Sequence, residues 1–94
     1  MCVVLLSYTT DLETVDVHLK AHGDWLRQGF EAGVIVVAGR RTPRTGGVIL
    51  FRGDKDAVEK VAASDPFVVE GVATIEVIPF TANLAAPVLA DLLG

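Results

Sequence analysis

Two stretches of this chain, residues 2–6 (CVVLL) and 34–38 (VIVVA), are apolar at every position. A strand covered on one face only should alternate apolar and polar residues, because successive side chains point to opposite faces. Strands without that alternation need cover on both sides. β-branched residues are dense in segments 2–8 (CVVLLSY), 34–38 (VIVVA), 47–52 (GVILFR) and 73–80 (ATIEVIPF), which predicts four strands.

Two segments between them have a helical period. Leu12, Val15, Leu19, Leu26 and Phe30 recur at spacings of three, four and seven, which predicts a helix over residues 11–32. Thr10 and Glu13 match a capping box at its start, and Gly33 is placed to end it. A second helix is predicted over 55–64, with Asp54 as cap and Val58, Val61 and Ala62 on the buried face. Pro66 stops it, since the residue before a proline is pushed out of helical geometry. A further turn can then open with Asp65 as cap and Pro66 in first position.

The order is β-α-β-β-α-β. With right-handed crossovers this predicts an α+β, ferredoxin-like fold, a four-stranded antiparallel sheet with both helices on one face. Two helices leave the other face bare, and a patch of that size is unusual on soluble monomers. The fully apolar strands therefore predict a homodimer packed sheet to sheet, a dimeric α+β barrel.

Composition agrees with that reading. The chain has 94 residues, enough for one domain over 1–81, and is 51% hydrophobic, which is rich for so small a core. Residues 82–94 (ANLAAPVLADLLG) read as an apolar extension in which Pro87 opens a short helix. Alone it is too short to hold in water, so it either docks, with a larger oligomer as one outcome, or frays. The net charge of −4 and the lack of a basic stripe argue against nucleic acid. No apolar run is long enough for a membrane span, and MCVVLLSY lacks the basic start of a signal peptide. Cys2 is the only cysteine, which fits a reducing cytoplasm. No glycine fingerprint or ligand set calls for a nucleotide, flavin or haem cofactor.

His22 stands where the apolar stripe of the first helix should continue. It is either a core histidine with one satisfied hydrogen bond or a partly buried proton shuttle. His18 lies one turn earlier, but two histidines without a third ligand do not make a zinc site. Asp65 is either a cap before proline or a carboxylate that orients His22. The loop 39–47 (GRRTPRTGG) carries Arg40, Arg41 and Arg44. It is either a solvated hairpin or a clamp for an anionic substrate. Ser7 and Tyr8 bring hydroxyls to the end of the first strand.

Taken together, these residues resemble the YciI-like (YCII-related) family. The resemblance covers residues 2 to about 80 and rests on VVLLSY, on His22 followed by Trp25 and Leu26, and on Ala38 with Gly39. It continues through Asp65, Pro66 and Phe67, then Gly71 and the closing IEVIPF. It implies a ferredoxin-like fold, a dimeric α+β barrel, and a likeness to muconolactone-isomerase-type and dehydrohalogenating enzymes. It also implies that His22 and Asp65 are the catalytic pair. Ser7, Tyr8, Arg40, Arg44 and Phe67 are the candidate substrate-binding residues. The chain departs from the family at Arg40, where relatives often have proline, so no particular substrate is carried over.

The expected function is that of a cofactor-independent lyase or isomerase. His22 and Asp65 would transfer a proton on a small cyclic or hydroxylated organic acid. The alternative is a non-catalytic ligand-binding or accessory dimerisation module.

Overall fold

The four β-branched segments form one antiparallel sheet in a computed structural model that describes Met1–Gly94. The strands are β1 (Cys2–Tyr8), β2 (Ile35–Arg40), β3 (Gly46–Phe51) and β4 (Ala73–Pro79), in the order β2-β3-β1-β4. β1 pairs with β3 from Cys2–Phe51 to Ser7–Gly46, and with β4 from Cys2–Pro79 to Tyr8–Ala73. Cys2, Val4 and Leu6 point toward the helices and are buried, while Val3, Leu5 and Ser7 point the other way. A register shift between Ile35 and Val37 interrupts β2. This bulge turns Val37 to the outer face and brings Ala38 and Arg40 to the helix side, opposite Ile49 and Gly47.

Helical structure between β1 and β2 is not the single helix expected over 11–32. It divides into α1 (Leu12–Val17) and α2 (Leu19–Glu31), with His18 leaving helical geometry at φ −102°, ψ 6°. The residues before the break, Thr14, Val15, Asp16 and Val17, all come from the weaker half of the helix scale, so little holds the ladder together there. The cap also moves. Asp11 rather than Thr10 accepts a hydrogen bond, from the Thr14 amide at 2.8 Å. The carboxylate is the stronger acceptor and stands one residue nearer the helix. At the far end, Gly33 takes φ +74°, the Val34 amide donates to the Gly29 carbonyl and the Gly33 amide to that of Phe30. These are the paired bonds of a Schellman stop.

α3 (Lys55–Ala62) is capped by Asp54, and α4 (Pro66–Val69) by Asp65 with Pro66 in first position. Helices and sheet enclose a core built on Val4, Leu6, Val15, Phe51, Val58 and Phe67, all at most 2% exposed. Burying a phenylalanine of this kind contributes about 1.5–3 kcal/mol. β1 and β3 approach so closely that a Cβ at Gly46 would stand 1.8 Å from the Leu6 carbonyl oxygen, so only glycine fits.

The outer face of the sheet carries Val3, Leu5, Val37, Val48, Leu50 and Ile78, and no helix of the chain covers it. After β4 the chain reaches a 3₁₀ helix (Pro87–Leu92), where Asp91 pairs with Arg52 at 2.9 Å. Leu84 before this helix and Val88 within it are 89% and 84% exposed. No helix is long and apolar enough to cross a membrane.

Candidate active site

Asp65 sits at the turn between α3 and α4, where its capping role fixes its side chain. Its Oδ1 accepts from the Phe67 amide at 3.0 Å. The same oxygen lies 2.8 Å from His22 Nδ1, although the residues are far apart in sequence. The cap and the histidine partner are therefore one and the same carboxyl group. Asp65 is 1% exposed and its Oδ2 has no partner within the chain.

A carboxylate can only accept, so an ionised Asp65 takes its bond from Nδ1–H and leaves the proton on Nδ1. Nε2 is left as the basic nitrogen, without a partner in the chain. Aromatic rings fix the plane of the imidazole. Phe67 stacks on it at 4.0 Å and 10° from parallel, and Trp25 lies 6.0 Å away at 24°. Trp25 is held in turn by its Nε1–H bond to Ser64 Oγ at 3.0 Å.

His22 is 14% exposed and opens onto a cleft of about 340 Å³ between α2 and the sheet. Leu19, Leu26 and Phe30 form the helix wall, and Leu6, Ala38 and Ile49 the sheet wall. The apolar stripe of the first helix thus does two jobs. Val15 enters the core, whereas Leu19 and Phe30 remain 36% and 44% exposed as walls of the cleft. That is why a histidine can stand in the stripe: the stripe faces a cavity as well as the sheet.

The other candidates divide. Tyr8, Arg40 and Phe67 line the cleft. Phe67 is 2% exposed with its ring against His22, so it supports the imidazole and offers little surface to a ligand. Ser7 is not at the cleft as expected. Strand alternation sends its side chain to the outer face, where its Oγ accepts from Arg41 Nη1 at 3.3 Å. Arg44 is absent from the cleft lining too; it bonds to Asp16 of α1 and stands 5.8 Å over the Tyr8 ring. The Arg44 bond holds the Asp16 carboxyl below the usual carboxylate range, and the Asp16 bond raises Arg44. His18 and His22 are joined by no third ligand, since no group of three His, Cys, Asp or Glu comes together.

Sequence reasoning missed the structural roles of Trp25 and Gly23. Gly23 follows the histidine, lines the cleft, and has nothing within 4 Å of where a Cβ would stand. A glycine in the middle of an otherwise regular helix was the available signal.

Sheet, helices and cleft define an α+β protein with a small-molecule-sized cavity beside a histidine–carboxyl pair. The sequence model of the YCII-related domain matches residues 1–81, and the chain belongs to that family. Its fold is that of the YCII-like dimeric α+β barrels. A similar solved structure is that of 5-chloro-2-hydroxyhydroquinone dehydrochlorinase (TftG) from Burkholderia phenoliruptrix AC1100, in complex with 2,5-dihydroxybenzoquinone. The two align with a TM-score of 0.70 and 18% identity, over 86% of this chain and 94% of that one. At that identity the likeness is one of fold. No curated protein sequence matches the chain.

Proposed function

We propose that the protein is a cofactor-independent lyase or isomerase in which His22 and Asp65 move a proton on a small cyclic or hydroxylated organic acid. The observation that carries this reading is the 2.8 Å contact between His22 Nδ1 and a buried carboxyl oxygen at the wall of an apolar cleft. The cleft volume, about 340 Å³, lies at the small end of ligand sites and suits a single ring. The dehydrochlorinase of like fold acts, by its name, on a ring of that kind.

Nε2 takes a proton from a substrate C–H or O–H, and the bonding electron pair stays on the substrate. In an elimination that pair forms a new π bond while a leaving group, such as chloride, departs with its own electrons. In an isomerisation the imidazolium returns the proton to a different atom. Asp65 faces the positive ring throughout and Phe67 keeps it in plane, so little reorganisation accompanies the transfer.

The test is turnover of a panel of chlorinated and hydroxylated ring acids, followed by ultraviolet absorbance and chloride release. His22→Asn is the informative variant, since it leaves a donor for Asp65. His22→Ala would take a hydrogen-bond donor from a buried carboxyl group, at a cost of about 1–3 kcal/mol. Turnover should fall about 10²- to 10⁴-fold in His22→Asn. Full activity in that variant refutes the base; a folded protein that binds the panel without turnover is instead a binding module.

A further inference from the structure

The cleft holds one permanently charged side chain, Arg40, among walls that are otherwise apolar, aromatic or glycine apart from His22. Three arginines cluster on this loop, yet two of them are engaged. Arg44 is bonded to Asp16, and Arg41 donates to Ser7 on the far side of the sheet. Arg40 makes no ion pair and no side-chain hydrogen bond with the chain, and its field only adds to that of Arg44 on Asp16.

Its placement is a product of the β2 bulge. Ile35 faces the helices, and strict alternation from there would send residue 40 to the outer face. The extra residue before Val37 reverses the phase, so Arg40 pairs with Gly47 on the cleft side. Gly47, its partner across the ladder, lines the cleft as well.

We propose that Arg40 is the specificity-determining residue of the cleft, binding the carboxylate of a small aromatic or cyclic monocarboxylic acid. A guanidinium presents two parallel N–H donors that match a carboxylate edge, and the apolar walls accept the ring behind it. With a single unpaired cation in the lining, the site takes one negative charge. This rests on the proton-transfer reading only in supposing that the bound acid is the substrate; binding itself can be measured separately.

Benzoate and benzamide have nearly the same shape and differ in charge. Titration of the full chain with each, followed by the fluorescence of Trp25 and by calorimetry, compares them directly. The wild type should bind benzoate roughly tenfold more tightly, a modest ratio for a charge-assisted bond at a solvent-facing arginine. The preference should shrink as salt is added. Arg40→Gln should abolish the preference and leave Tm unchanged. Arg40→Lys should keep part of it, retaining charge but not the fork.

Equal binding of the two probes by the wild type, no binding of benzoate, or a preference that survives in Arg40→Gln overturns the proposal. His22→Asn separates the two readings. If it keeps the benzoate preference while no acid is turned over by the wild type, the proton-transfer reading fails and the anion site stands.

Discussion

Gly23 and Gly29 lie on the same helix, and the same substitution should move the protein's stability in opposite directions at the two positions. A glycine inside a helix costs roughly 0.5–1 kcal/mol relative to alanine. At Gly23 that cost is removed without opposition, because nothing lies within 4 Å of the added Cβ. Gly23→Ala should therefore stabilise the fold by about 0.5–1 kcal/mol and raise Tm by about 2–8 °C for a domain of this size. At Gly29 the new Cβ would stand 2.3 Å from Ile35 Cδ1 and 2.7 Å from Cγ1. Ile35 is itself only 4% exposed, so it has little room to yield. Overpacking of this kind costs about 1–3 kcal/mol, and less the helical gain, Gly29→Ala should lose up to about 2.5 kcal/mol. Both variants are to be melted by circular dichroism at one protein concentration, since any oligomer makes Tm concentration-dependent. The stabilised Gly23→Ala should also bind ligands of the cleft more weakly, because its methyl group occupies the space beside His22. A fall in Tm for Gly23→Ala, or a shift of both variants in the same direction, refutes the packing argument.

Other consequences are open to measurement. The Asp16 carboxyl is held low by Arg44, so its stabilising contribution is complete above the unfolded value of 3.8 and is lost as pH falls through the lower folded value. Asp16→Asn should accordingly be less stable than wild type at neutral pH, with the gap closing on acid titration below 3.8; a gap that persists in acid argues against the pair. Val37, Val48 and Ile78 on the outer face are 56%, 38% and 42% exposed, and a second copy is expected to cover them. Analytical ultracentrifugation should find a wild-type dimer and a Val48→Glu monomer, because a carboxylate buried at that face has no partner. A monomeric wild type would refute the assignment of this face.

The strands and their order were legible because β-branched density and the turn residues between segments are local properties. So was the stop at Gly33, which needs only a residue tolerant of positive φ. The break at His18 was not legible, since an apolar stripe reads the same through a kink. Asp11 was passed over as cap because Thr10 and Glu13 fit a known pattern one residue away. Ser7 was misplaced for a related reason: a hydroxyl at a strand end says nothing of which face it takes until the register is known. The contact between His22 and Asp65 joins distant parts of the chain, and no periodicity could reveal it; the family resemblance pointed to both residues. The cleft was out of reach altogether, being the shape left between α2 and a bulged β2.

One oxygen atom ties the first turn of α4 to the imidazole. Asp65 Oδ1 receives both the Phe67 amide and His22 Nδ1, while the Phe67 ring lies against the same imidazole. Any molecule that draws on Nε2 therefore pulls, through the imidazole, on an acceptor that the α4 amide shares. The chemical shift of the Phe67 N–H is therefore expected to change when the cleft is occupied.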